Sequence, residues 1–168
     1  VLDVFSGKRL HMQDSLCFYL LLSYESKCYY YLNRMEDAFR TNKEVIRYCT
    51  DHASFDRSRA LLAEAFNNQG VYWQELGERD SAIRVLKSAI NILQMTPNRN
   101  VLTSVYINLA DCHLQKGDYP QCGFYYRKAL LVADSLALGY RDHFAIYSGL
   151  AKLYLELENF PEANEYFV

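Results

Sequence analysis

The feature that most constrains this chain is that it copies itself. Around Phe66 it reads FNNQGVYWQELGERDSAIRVLKSAI, around Tyr106 YINLADCHLQKGDYPQCGFYYRKAL, and around Tyr147 YSGLAKLYLELENFPEANEYF. Ala82, Cys122 and Ala163 hold the same place in each copy. A more degenerate copy upstream has Ala38 there, so by subtraction the spacings are 44, 40 and 41 residues. Each copy holds two stretches of helical periodicity split by a turn. One such hairpin cannot bury its own apolar face, whereas stacked hairpins share a continuous core. The sequence therefore predicts an all-α fold, an α-solenoid of about four helical hairpins with approximate bounds 14–50, 58–95, 100–138 and 142–168. Residues 1–13 are left as an N-terminal cap or remnant, with Phe5, Leu10 and Met12 as capping side chains. The last hairpin reads as truncated, because the chain stops at Val168 inside a predicted helix.

The periodicity assigns side chains to the core. In the second copy Phe66, Gln69, Gly70, Trp73 and Leu76 form one stripe, Gly77 is the turn, and Ala82, Ile83, Leu86, Ala89, Ile90 and Leu93 form the second stripe. Gly70 and Ala82 are small where two helices have to approach closely. The third copy places Tyr106, Leu109, Ala110 and His113 before Gly117, and Cys122, Tyr126, Ala129 and Leu130 after it. The fourth places Tyr147, Leu150, Ala151 and Tyr154 before Asn159-Phe160-Pro161, then Ala163 and Phe167. Pro120 and Pro161 stand at the same offset from their anchors, in the first helical turn where a missing N–H costs nothing. In the first copy Leu22, Ser26, Tyr29 and Leu32 precede the turn residue Asn33, and Met35, Ala38, Val45 and Ile46 follow it. Asn42 falls where the other copies carry Leu, Tyr or Phe. Loop signals, Pro97-Asn98 and Gly139, separate the copies.

Composition narrows the function classes. Eighteen Lys and Arg against 20 Asp and Glu leave a net charge of −2, without the basic face that nucleic acid requires. No apolar run is long enough to span a bilayer, and no membrane contact is expected of this segment. The five cysteines are odd in number and contain no C-x-x-C pair, which points to buried free thiols and favours a cytoplasmic setting. A periplasmic sensor domain of a membrane protein is the alternative. The 15 tyrosines supply large packing area with a polar tip.

These residues resemble the tetratricopeptide repeat family. Phe66, Gly70, Trp73, Gly77, Ala82 and Ala89 match its pattern, as do Leu109, Gly117, Asp118-Tyr119, Tyr126 and Ala129, and then Tyr147, Leu150, Tyr154, Ala163 and Phe167. Gln69 and Glu25 stand where the pattern has Leu, His113 where it has Tyr, and Glu158 at the turn Gly. The period of about 40 exceeds the family's usual 34, and is similar to that of repeats in bacterial sensor and regulator proteins. The resemblance implies a right-handed solenoid whose first helices line a concave face. It implies a non-catalytic module binding a protein or peptide segment, as the input or docking domain of a larger signalling or regulatory protein. Partners would include other domains of its own full-length chain. An architectural solenoid for self-association or complex assembly is the alternative, and a regulator phosphatase a third reading.

By register the concave face presents Lys27 and Tyr30, then Asn67 and Gln74, then Asp111, then Lys152, with Asn68 and Asn108 in equivalent places beside it. A side-chain amide both donates and accepts, so Asn67, Asn68, Gln74 and Asn108 are candidates to grip a ligand main chain, or else to bond a neighbouring helix. Some family members hold a peptide carboxyl end through paired Lys and Asn. Here Ser23, Asn67, Ile107 and Ser148 stand at the Lys place and Lys27, Val71, Asp111 and Lys152 at the Asn place, so that clamp is absent. Asp111-Cys112-His113 with Cys122 is not expected to hold a metal, because adjacent helical residues diverge. No cofactor and no catalytic residue is expected, since no Gly-rich phosphate loop, G-x-S-x-G or H-E-x-x-H occurs.

Overall fold

The computed structural model describes residues 15–96 and 101–166, and every regular element among them is a helix. The expectations for residues 1–13, for Pro97-Asn98 and for Phe167 lie outside the described residues. Helices α1 (Ser15–Tyr31), α2 (Met35–Asp51), α3 (Asp56–Glu75), α4 (Arg79–Leu93), α5 (Leu102–Gln115), α6 (Tyr119–Ser135), α7 (Tyr140–Glu156) and α8 (Phe160–Glu165) pack as successive hairpins, α1 on α2 through to α7 on α8.

One kind of turn closes all four hairpins. The chain reverses through Asn33, Gly77, Gly117 and Glu158, with left-handed φ of 56°, 77°, 73° and 54°. At Gly77 its own N–H donates to the Gln74 carbonyl and the next N–H, of Glu78, to the Trp73 carbonyl, both at 2.9 Å. The same pair of bonds recurs at Asn33, Gly117 and Glu158. It satisfies carbonyls that a helix end would otherwise leave open. The turn residues are spaced by 44, 40 and 41, as are the anchors. A fifth turn of this kind at Ala137, φ 49°, links α6 to α7.

Small residues set the approach within each hairpin. Ala38, Ala82, Cys122 and Ala163 are fully buried, and so are the residues twelve before them, Ser26, Gly70, Ala110 and Ala151. The Ser26 hydroxyl donates to the Ala38 carbonyl at 2.9 Å, which fixes α1 against α2. A methyl group on Gly70 would fall 2.6 Å from the Leu86 side chain. Leu32 and Leu76, expected on the core stripe, are 61% and 52% exposed. They lie at the very end of their helices, past the last turn that faces the partner. Tyr147 is likewise more exposed than its stripe position predicts.

The core has no single centre. One cluster joins Val45 and Cys49 to Leu61, Leu62 and Ala65, the next Leu86 and Leu93 to Val105 and Leu109, and the next Tyr126 and Ala133 to Ile146 and Leu150. Each bridges two hairpins, so each hairpin is completed by its neighbour. First helices therefore bury two faces, one toward their own second helix and one toward the preceding hairpin. Tyr72 lies on that second face. It is 1% exposed, its hydroxyl lies 2.8 Å from the Ser26 hydroxyl, and its ring stacks on Tyr30.

The contact pattern fixes the curvature. First helices touch one another across hairpin boundaries, α1 with α3, α3 with α5 and α5 with α7. Among the described residues no two second helices meet in this way. The odd-numbered helices therefore line the inner curve and the even-numbered helices fan outward.

Candidate functional site

The inner face is crossed by polar rungs, each tying one first helix to the next. Between α1 and α3 the Lys27 Nζ lies 2.5 Å from Glu64 Oε1. In the same gap the Asn68 amide donates to the Ser23 hydroxyl at 3.4 Å, and Asn68 is only 8% exposed. Between α3 and α5 the Asn108 amide donates to Asn67 Oδ1 at 2.9 Å. These two amide bonds are one interaction in two copies, since each joins residues one more than a repeat apart, 45 and 41. The amide nitrogens of Asn68 and Asn108 are therefore engaged by neighbouring first helices.

The gap between α5 and α7 is filled differently, by a side chain from the second helix α6. Gly149 stands where Asn108 stood, and a Cβ there would collide with the Tyr126 ring. The empty space admits Tyr126, whose hydroxyl donates to Asp111 Oδ1 at 2.5 Å. Burial raises the Asp111 pKa above the ordinary carboxylate range, opposed by the Tyr126 hydrogen bond and by the charge of Lys152. Burial also drives the Tyr126 hydroxyl far above its usual pKa, helped by the Asp111 charge. Lys152 itself is exposed on α7.

Two recesses lie along this face. Toward the start of the first helices a cavity of about 500 Å³ is walled by Leu16, Leu20, Ala60, Leu61, Glu64 and Val101. Toward the turns, one of about 400 Å³ is lined by Tyr30, Val71, Gln74, Glu75, Arg79 and Gln115. Burial raises the Tyr30 pKa, with a further push from Glu75. Arg79 enters from the start of α4 and makes no ion pair among the described residues. The sequence singled out Tyr30 and Gln74, which do meet here. It passed over Arg79, because a residue next to a turn carries no periodic signal.

The residues considered for metal diverge. His113 Nδ1 lies 2.9 Å from Asp118 Oδ2, Asp111 is held by Tyr126, and Cys112 and Cys122 are buried. Burial pushes the thiols of Cys49, Cys112 and Cys122 up to about 12. No cluster of three or more candidate ligands occurs among the described residues. Nor is any described helix long and apolar enough to cross a membrane.

Residues 101–168, which span α5 to α8, match the family model described as tetratricopeptide repeat. No curated protein matches the chain. Among solved structures, a Signal Transduction ATPase with Numerous Domains protein from Pyrococcus horikoshii, bearing a tetratricopeptide repeat sensor, superposes with a TM-score of 0.73 at 20% identity. The match covers 91% of this chain and 23% of that one, so the chain spans under a quarter of that protein's length. The chain is thus a helical solenoid of the tetratricopeptide repeat type, and its last two hairpins carry that family's sequence pattern.

Proposed function

We propose that the inner face captures an extended protein or peptide segment, and that the solenoid is the docking or input module of a larger signalling or regulatory protein. The observation that carries this reading is the pair of recesses on one face, apolar at one end and polar at the other. Leu61 and Gln74 mark them on α3, thirteen residues apart by subtraction. That is about 20 Å of helix, or about six residues of extended chain. An apolar side chain would enter the first recess, and main-chain groups would meet Gln74, Gln115 and Arg79 in the second. The sensor repeat of the Pyrococcus protein supports the placement within a larger regulatory chain.

The rungs give the capture a consequence. Asn67, Asn108, Lys27 and Lys152 stand on the path of such a segment, and Asn67 and Asn108 also hold α3 to α5. A segment that bonds either amide competes with that rung and alters hairpin stacking, which a repeat array passes to its neighbours. The test is affinity capture from source-cell lysate by three baits of matched circular dichroism. These are the unmodified protein, Gln74→Ala/Gln115→Ala on the inner face, and Lys87→Glu/Lys128→Glu on the outer face. A partner lost only with the inner-face pair supports the reading. A partner kept by that pair, or lost only with the outer pair, removes it.

The two end faces favour a second reading, assembly through the solenoid ends. On α1 Leu21, Tyr24, Cys28 and Tyr31 are exposed, and at the other end Tyr140, Phe144 and Phe160 are. Concentration-dependent light scattering tests it, and a constant monomer mass would remove it.

A further inference from the structure

The outer surface carries a second recess, away from the proposed peptide groove. Because second helices fan apart, a seam is left between α4 and α6, and a cavity of about 410 Å³ opens in it. Its floor includes Ile90, Tyr106 and Tyr125, with the two tyrosine rings stacked at 6.2 Å. Lys87, Asn91 and Gln94 form the α4 wall, spaced by four and three residues and so on one helix face. Phe124 and Lys128 form the α6 wall, with the Lys128 ammonium 5.5 Å from the Phe124 ring centre.

The charges around this seam do not balance. The acidic residues of α4 and α6 are Asp80 and Asp134, and both are occupied, Asp80 by Lys116 and Asp134 by His143. Of the recess lining, Lys87 and Lys128 make no ion pair among the described residues. The chain as a whole is slightly acidic, so this is a local surplus.

We propose that the α4–α6 seam docks an acidic protein segment that carries an aromatic or large apolar side chain. The apolar side chain enters against Ile90 and the rings of Tyr106 and Phe124. Flanking carboxylates meet Lys87 and Lys128 at either wall. Asn91 and Gln94 can pair with the main chain of the segment. A protein segment fits better than nucleic acid, because the cations bracket one short recess and do not form a track along which phosphates could run.

The test is a titration of the ¹⁵N-labelled protein, followed by NMR, with three probes. These are the pentapeptide Glu-Asp-Phe-Glu-Asp, its neutral form Gln-Asn-Phe-Gln-Asn, and a ten-residue oligothymidylate. The acidic peptide is expected to shift the amides of Lys87, Gln94, Phe124 and Lys128, and to bind more weakly as salt is raised. Lys87→Glu/Lys128→Glu is expected to weaken it by about fivefold or more, from the loss of two exposed ion pairs and their replacement by repulsion. Phe124→Ser weakens it at unchanged charge, and Gln74→Ala/Gln115→Ala on the inner face leaves it unchanged. All these side chains are at or near the surface, so the variants are expected to fold. The proposal is overturned by absence of shifts at the seam, by equal binding of the neutral peptide, by indifference to the charge reversal, or by tighter binding of the oligothymidylate. None of these outcomes bears on the inner face.

Discussion

Glu158 occupies a backbone conformation that suits glycine. At φ 54° its Cβ crowds the following carbonyl, as Asn33 and Ala137 do at φ 56° and 49°. Glu158→Gly and Ala137→Gly are therefore expected to raise stability by about 0.5–1 kcal/mol each, the relief of strain exceeding the added freedom of the unfolded chain. Gly77→Ala and Gly117→Ala should lower it by about 1 kcal/mol, though nothing lies within 4 Å of either added methyl. Urea midpoints at constant slope would check both signs, and a fall for Glu158→Gly would refute the strain argument. His143 carries a pH dependence. Its Nε2 lies 2.9 Å from Asp134 Oδ1 and its Nδ1 3.2 Å from the Gly139 carbonyl, so acceptors face both ring nitrogens. The Asp134 hydrogen bond first, and the Gly139 carbonyl second, hold the folded pKa above the ordinary value. A group whose pKa is raised on folding binds its proton more tightly when folded. Its stabilisation is thus complete below about pH 6.5, the ordinary histidine value, and is lost as pH rises through the raised one. The thermal midpoint should fall over that window, and His143→Asn should flatten the fall.

The helical hairpin was legible because it is written in small residues and turns, four times over. Asn33, Gly77, Gly117 and Glu158 take one turn conformation, although two of the four are not glycine. The shared register located them where residue type alone would not. Side chains that act between hairpins were harder to read. A stripe at helical period reports one apolar face, whereas Tyr72 lies on a second face created only when the preceding hairpin arrives. Asn42 follows the same logic. It replaces the Leu86 and Tyr126 of later copies and spends its amide on the Ala65 carbonyl of the next hairpin, at 2.9 Å. Asn68 and Asn108 were recognised as equivalent positions and Asn67 as a further candidate, but the bond from Asn108 to Asn67 depends on a helix-to-helix offset that no single copy encodes. A double-mutant cycle of Asn67→Ala and Asn108→Ala should give a coupling of about 0.5–1.5 kcal/mol. Additive losses would mean that the rung contributes nothing to α3–α5 stacking.

At the scale of the whole molecule the solenoid behaves like a book bound along one edge. Contacts between first helices close the bound edge, and the second helices, each packed on the next first helix, are leaf edges that do not meet one another. Flexing such an object cannot change its two sides alike. A tightening of the bound edge by a captured segment spreads the leaf edges, and a wedge driven between α4 and α6 compresses the binding. Spin labels on the exposed faces of α4 and α6 would read this directly. Their separation should grow when a segment fills the inner recesses, while labels on α3 and α5 draw together or stay in place. Two ligands on opposite sides of one thin wall would then influence each other with no shared side chain. The sign of that influence is set by geometry, because what closes the spine opens the leaves.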